Sequence, residues 1–289
     1  MRNLGQLCYY NLYSIDDKKE SKFMKKIIDY IIFVILKNSI DFLFGILPAK
    51  QISQNLLANT VIVGHRGING NKKFKENTMT AFKKAVQSGC KALELDLQLT
   101  KDNIIVINHD KDLTRIHKLA INICDNLYSD IKKDCQDLIS LEEFLDYFKD
   151  KNIILFLEIK KQLSAEKDRI LADQVNKFIG KYNLQKQTKI ISLNYNLLIE
   201  YYQVFKLEIF PIYLFSPQIA VKTCLENNMH GVFGAYLFTS KKTIMHLQKQ
   251  KKVIGLGFVN YANTAYRLIR SGTRYIFTDN PVKLLGKLS

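Results

Sequence analysis

From Val61 onward, short runs of Ile, Val, Leu and Phe alternate with stretches whose apolar residues recur every three or four positions. The first pattern suits a strand buried on both faces, the second a helix lying on a sheet. The runs predict strands at Val61–Gly64, Ala92–Leu99, Ile104–Asn108, Ile153–Ile159 and Lys189–Leu193. Four more are predicted at Ile209–Phe215, Gly231–Phe233, Val253–Val259 and Tyr275–Thr278. Helices fall between most of them, among them Thr80–Ser88, with Thr78 placed to cap it and Gly89 to stop it, and Leu141–Lys149. One link cannot be a crossover. Only Thr100 to Asn103 separate two strands there, whereas a parallel crossover needs a dozen residues or more, so this link is a hairpin. Setting its return strand aside leaves eight strand–helix repeats in about 230 residues, the size and rhythm of a (β/α)8 TIM-type barrel in the α/β class. A doubly wound open sheet is the alternative, because strands such as Gly231–Phe233 are short. The barrel is expected to occupy residues 60–289 and a separate segment residues 1–59.

That N-terminal segment has a different pattern. A polar stretch with Lys18, Lys19, Lys22, Lys25 and Lys26 precedes an apolar run from Ile27 to Leu47, which stops at Pro48. The run is long enough to cross a bilayer, but Lys37 and Asp41 each cost roughly 3 kcal/mol, which offsets the gain of about 6 kcal/mol from its aliphatic and phenylalanine residues. It predicts an apolar helix that either contacts an anionic membrane surface through the lysines or docks on the barrel. A membrane-associated location follows from the first reading and a cytoplasmic one from the second.

Charge and cysteine content narrow the partners. Lys and Arg number 43 against 27 Asp and Glu, a net charge of +16 that favours an anionic partner. The lysines are not interleaved with the aromatic platforms of a nucleic-acid surface, so no nucleic acid is expected. Five cysteines at scattered spacings make neither a zinc site nor a disulfide framework, which favours a reducing compartment.

Candidate chemistry gathers at one end of the predicted strands. Glu94, Asp96 and Gln98 alternate with leucines, so they share a strand face that points into a barrel. Two carboxylates one pleat apart call for something positive between them, and a hard divalent cation such as Mg²⁺ or Ca²⁺ prefers oxygen ligands. The hairpin brings His109 beside this pair: opposite Glu94 if the turn centres on Lys101-Asp102, opposite Asp96 if it centres on Asp102-Asn103. Glu158 and Lys160 end another strand on one face, and His65 and Arg66 directly follow a third. The C-terminal rim of barrel strands is where such enzymes keep their chemistry.

The wording of these segments resembles the glycerophosphodiester phosphodiesterase family. His65-Arg66-Gly67, Glu76-Asn77-Thr78, Glu94-Leu95-Asp96, His109-Asp110, Leu157-Glu158-Ile159-Lys160 and Thr278-Asp279-Asn280-Pro281 match its pattern and order across residues 60–289. The resemblance implies a (β/α)8 barrel with a small insertion after His109-Asp110, here short. It implies metal-dependent hydrolysis of a glycerophosphodiester to glycerol 3-phosphate and an alcohol. Glu94, Asp96 and Glu158 would hold one divalent cation, Mg²⁺ or Ca²⁺. His65 and His109 would be acid and base, Arg66 and Lys160 would contact the phosphate, and Glu76 and Asn77 would support the cluster. The route it implies passes through a cyclic phosphate made by the substrate's own hydroxyl.

The chain departs from the family at Gly257-Phe258-Val259-Asn260, which stands where Trp-Thr-Val-Asn is usual, and at Lys75 where proline is common. These changes touch the alcohol moiety, so lysophospholipids are an alternative substrate class and lysophospholipase D an alternative activity. From another class, a silent barrel that binds phosphoinositides or phosphate is the competing expectation.

Overall fold

The computed structural model describes residues 39–69 and 73–288. Eight parallel strands close on themselves, with helices between successive strands, so the chain is a TIM barrel and the open-sheet alternative is set aside. The strands are β1 (Val61–Gly64), β2 (Ala92–Leu99), β3 (Ile105–Ile107), β4 (Ile154–Ile159), β5 (Thr188–Ser192), β6 (Glu208–Tyr213), β7 (Gly231–Ala235), β8 (Val253–Gly257) and β9 (Tyr275–Thr278). Their order is β1-β9-β8-β7-β6-β5-β4-β2, and β1 pairs β2 in parallel to close the ring. Helix α1 covers described residues 39–46. It is followed by α2 (Gln54–Ala58), α3 (Met79–Gln87), α4 (Thr114–His117), α5 (Tyr128–Asp134), α6 (Leu141–Phe148) and α7 (Ala165–Lys181). The rest are α8 (Tyr195–Phe205), α9 (Gln218–Glu226), α10 (Lys241–Lys249), α11 (Ala262–Arg270) and α12 (Pro281–Leu288).

Local chemistry sets the helix bounds. The Thr78 hydroxyl accepts from Ala81 N to start α3, and Gly89 at φ +99° ends it. Helix α6 opens with a capping box between Ser140 and Glu143 and buries Leu141, Phe144, Leu145 and Phe148, spaced as one helical stripe. On the barrel side, the leucines of β2 join the large core between sheet and helices. The lumen is filled by Val63, Ala92, Phe156, Ile191, Phe210, Phe233, Tyr275 and Phe277. Gly255 makes room for that filling, since a Cβ there would lie 2.6 Å from the Phe233 ring.

The hairpin takes a register that neither sequence alternative anticipated. Leu97 pairs Ile107 and Leu99 pairs Ile105, so the turn centres on Asp102 alone. Asn103 at φ +64° donates its N–H to Thr100 O, a three-residue loop closed by a left-handed residue. In this register neither Glu94 nor Asp96 stands directly across from His109. Ladder pairing ends at Ile107, and Asn108, whose N–H reaches Asp96 O, turns the chain into the insertion. There the Asn108 side-chain amide donates to the carbonyls of Asp110 and Asp112. Short α4 and α5 follow, closed over their own small core of Val106, Leu113, Ile123, Ile131, Cys135 and Leu138. The insertion after His109-Asp110 is thus present and short.

Before the barrel, α1 docks on it. Tyr236 OH donates to the buried carboxylate of Asp41, Gly45 lies against the Tyr261 ring, and Arg267 donates to the carbonyls of Phe44, Leu47 and Pro48. Asp41, expensive in a bilayer, is satisfied by protein here. Residues 27–38 of the apolar run lie outside the described residues, as does the lysine stretch before them. Among the described residues no helix is long and apolar enough to cross a membrane.

Candidate active site

Register builds the acidic cluster. Parallel pairing sets Asp96 of β2 directly beside Glu158 of β4, and Glu94 beside Phe156. Both carboxylates therefore point into the barrel just above the aromatic lumen, and Glu94 lies one pleat below Asp96. One oxygen from each of Glu94, Asp96 and Glu158 lies within 4.8 Å of the others. All three are buried. Glu94 Oε1 and Asn77 Oδ1 are buried acceptors that receive no hydrogen bond among the described residues. Buried lone pairs left open beside an all-oxygen donor set fit a divalent cation.

Electrostatics agree with that fit. Burial, then the Asp96 charge, pushes the Glu94 carboxyl up to about 8. Glu158 is also raised, chiefly by burial. Asp96 resists the same burial because Lys160 and Arg66 hold it well below the usual carboxylate range. Lys160 Nζ lies 2.5 Å from Glu158 Oε1 and 2.7 Å from Asp96 Oδ1. Arg66 Nε lies 3.2 Å from Asp96 Oδ2, and its backbone N–H donates to Glu94 Oε2 at 2.9 Å. Two cations and three carboxylates thus share one buried patch.

Turns at the ends of strands position the remaining groups. Beyond β1, Arg66 (φ +54°) and Gly67 (φ +74°) turn the chain sharply over α3, where a Cβ on Gly67 would lie 2.8 Å from the Ala81 carbonyl carbon. Asn77, also left-handed, donates its amide to Asp96 Oδ2 at 2.8 Å and its backbone N–H to Arg66 O. Glu76 Oε1 accepts from Arg66 Nη1 at 2.8 Å. All nine residues marked by the sequence therefore belong to one mouth: His65, Arg66, Glu76, Asn77, Glu94, Asp96, His109, Glu158 and Lys160.

The two histidines sit in different fields. His65 Nε2 is 3.8 Å from Glu94 Oε2, and its Nδ1 is 2.7 Å from Asp279 Oδ1. Burial and Arg66 oppose its charge, yet Asp279 and Glu94 raise its pKa. His109 reaches the site from the insertion, with its carbonyl accepting from Gln98 Nε2 and its Nδ1 2.9 Å from Asp110 Oδ1. Burial, then Arg66 and Lys160, pushes His109 down to about 4. One imidazole favours the charged form and the other the neutral form, as an acid and a base require.

Sequence reasoning missed two residues here. Arg115 of α4 binds Asp110 Oδ2 through Nε at 2.6 Å and both oxygens of Glu76 through its other nitrogens. It ties the insertion to the mouth, and nothing in its own spacing announced it. Asp279 stands out in the sequence only as part of a motif. Asn260 orients it, donating to its Oδ2 and accepting from its backbone N–H.

Comparisons with known proteins agree with the geometry. The family model for the glycerophosphoryl diester phosphodiesterase family matches residues 65–283. A Bacillus altitudinis glycerophosphodiester phosphodiesterase is 25% identical over 77% of this chain and 95% of its own length. The uncharacterised protein YqiK of Bacillus subtilis is 29% identical over 47% of this chain, which covers 59% of that protein. The human protein named lysophospholipase D is 27% identical over 49% of this chain and 48% of its own. Among solved structures, the glycerophosphodiester phosphodiesterase of Thermotoga maritima superposes with a TM-score of 0.67 at 26% identity, over 80% of this chain and 98% of that one. An Oleispira antarctica phosphodiesterase, solved with the product sn-glycerol-3-phosphate, shares the fold at TM-score 0.68 and 20% identity, over 80% of this chain and 98% of that one. This chain belongs to the glycerophosphoryl diester phosphodiesterase family, and with it to the phosphoric diester hydrolases.

Proposed function

We propose that residues 60–289 form the catalytic unit and hydrolyse a glycerophosphodiester to glycerol 3-phosphate and a free alcohol. The observation that carries this reading is the meeting at one mouth of two imidazoles, three buried carboxylates and the cations Arg66 and Lys160. A Bacillus altitudinis relative named glycerophosphodiester phosphodiesterase and a phosphodiesterase fold neighbour with bound sn-glycerol-3-phosphate support it.

Glu94, Asp96 and Glu158 would hold one divalent cation, Mg²⁺ or Ca²⁺, which when bound supplies positive charge against the phosphoryl oxygens. Arg66 and Lys160 bind and orient the phosphate, while Glu76 and Asn77 hold Arg66 and Asp96 in place. His109, kept neutral, takes the proton from the glycerol hydroxyl next to the phosphate. That oxygen attacks phosphorus as the bond to the leaving alcohol breaks. His65, kept charged, gives its proton to the leaving oxygen. The cyclic phosphate so formed is opened by water with the two roles exchanged, which restores both imidazoles.

A lysophospholipid with its acyl chain retained is the second reading. Exposed apolar residues beside the mouth, Leu163 and Phe215 among them, and the human relative named lysophospholipase D favour it. An anionic membrane surface remains the partner expected for the lysine-rich N-terminal stretch.

The deciding experiment gives purified protein glycerophosphocholine and lysophosphatidylcholine, with glycerol 3-phosphate, lysophosphatidate and cyclic phosphate followed by ³¹P NMR. Release of glycerol 3-phosphate is expected, lost in His65→Ala and His109→Ala. Turnover of the lysolipid alone would transfer the assignment to the second reading. No turnover of either, with phosphoinositide binding intact, would support the silent barrel.

A further inference from the structure

Exposed apolar side chains are unevenly placed on this barrel. Leu163 follows β4, Leu193 follows β5, Leu214 follows β6 and Phe238 closes the turn after β7. Ile219, in the first turn of α9, stands beside them. Because β4, β5, β6 and β7 are successive neighbours, these residues form an arc along half of the C-terminal rim. Leu163 is 69% and Ile219 64% exposed. The Phe215 and Phe238 rings meet edge to face at 5.6 Å, which makes the arc continuous from β6 to β7. Helix α1, held between Tyr236 and Tyr261 just past β7 and β8, extends it with an outer face that exposes Leu43 and Ile46.

Single exposed apolar residues need no explanation, but loop tips after four adjacent strands, at the rim that holds a phosphate site, do. A bilayer interface accepts such tips to a depth of about 5–10 Å and keeps lysines at its headgroups. Exposed Lys161 lies two residues from Leu163, and exposed Lys241 and Lys242 begin α10 directly after Phe238 and its turn. The sequence before the described residues has the same two features. Ile27 to Leu36 is mostly apolar and follows five lysines.

We propose that this arc docks on an anionic phospholipid bilayer, so that the mouth of the barrel opens against lipid headgroups. The proposal extends beyond the hydrolytic reading and holds for either alcohol.

The test uses the full chain and sedimentation with phosphatidylcholine vesicles, with or without phosphatidylserine. Wild-type protein binds the phosphatidylserine vesicles, and more weakly those lacking it. The triple variant Leu163→Ser, Leu214→Ser, Ile219→Ser lowers partitioning about a hundredfold while its melting temperature stays at the wild-type value, which shows that the fold is kept. Lys241→Glu with Lys242→Glu, which leaves the packed core untouched, lowers partitioning to the anionic vesicles about tenfold or more. Unchanged partitioning in both variants overturns the proposal, including the case in which residues before 39 bind lipid alone. A wild-type dimer that the triple variant converts to monomer, without vesicle binding, overturns it in favour of a second copy of this chain. Loss of hydrolysis in the wild type would count against the proposed reaction and leave the vesicle result to be read independently.

Discussion

His65 and Asp279 stand 214 positions apart in the chain and 2.7 Å apart in the barrel, Nδ1 to Oδ1. The seam between β1 and β9 explains this closeness. Gly64 pairs Thr278 in parallel register, so the residue after each strand emerges beside the other. Asn260 fixes the carboxylate from β8's side of the rim, and the carboxylate fixes the imidazole, leaving Nε2 facing the acidic cluster. Asn69 adds a long contact to the same oxygen at 3.5 Å.

Asp279→Asn should therefore cost about a hundredfold or more in kcat, because it removes both the orientation and the charge behind a proton donor. The sign of the pH effect is fixed. Burial and Arg66 lower the His65 pKa, and Asp279 helps to raise it above the ordinary value. Activity that needs charged His65 is lost as pH rises through that pKa. Without Asp279 the alkaline limb of the rate profile should move to lower pH, which a kcat–pH series on both proteins would read. A fall in rate with the limb unmoved would assign Asp279 a purely structural part.

Arg115 is expected to act through its neighbours. Its guanidinium offsets the charge of the Asp110 carboxylate, which lies 2.9 Å from His109 Nδ1. In Arg115→Gln that charge is unbalanced, so the His109 pKa should rise from about 4. A base must be neutral to work, so the acid limb should move to higher pH. The same substitution frees Glu76 from one of its two arginines, and KM for the phosphodiester should rise several-fold as Arg66 loosens. A normal acid limb with a lower melting temperature would show that Arg115 only staples the insertion.

Much of this site could be read from period and topology. Alternation along β2 places Glu94 and Asp96 on one face, and the short link after Leu99 demands a hairpin. Both inferences rest on local geometry that tertiary context cannot change. The hairpin register was not legible, because a loop of one residue more or less is settled by whether Asn103 enters the left-handed region. His109 still reaches the mouth, but by the turn at Asn108 rather than by direct pairing. Arg115 lay beyond reach, since its partners Glu76 and Asp110 meet only when the insertion folds over α3. The docking of described residues 39–46 was legible only as one of two alternatives, and it rests on a partner 195 positions away, Tyr236, which satisfies Asp41.

Removing divalent metal should abolish turnover and restore it on re-addition, with EDTA and then Mg²⁺ or Ca²⁺ as the measurement. Stability gives a second readout. In metal-free protein the Glu94 pKa is raised to about 8 against an ordinary value of 4.5, so folding favours its neutral form. That advantage is complete below the unfolded value and is lost as pH rises through the folded one. Metal-free protein should therefore melt progressively lower between roughly pH 5 and 8 through this group. Bound cation should flatten that slope, and at a hundred times its Kd it should add about 2.7 kcal/mol, or about 5–10 °C in Tm. Glu94→Gln should lose most of this increment. An unchanged melting curve with either ion would rule out the carboxylate cluster as a metal site.

Gly67 ties catalytic geometry to the fold at a single position. Its φ of +74° disfavours any side chain, and the space for one is already taken: a Cβ would lie 2.8 Å from the Ala81 carbonyl carbon and 2.9 Å from both Phe82 N and its ring. Gly67→Ala should cost about 2–4 kcal/mol, the sum of left-handed strain and overpacking, and lower Tm by about 5–15 °C. The displaced turn carries Arg66, whose N–H donates to Glu94, so kcat/KM should fall further than unfolding alone accounts for, even well below the new Tm. Gly180 is the contrast. It lies inside α7, where an added Cβ would meet nothing within 4 Å, and Gly180→Ala should leave activity intact and raise stability by up to about 1 kcal/mol. Equal effects at the two glycines, read by thermal melting and by glycerophosphodiester turnover, would show that the turn after β1 is not the constraint on the site.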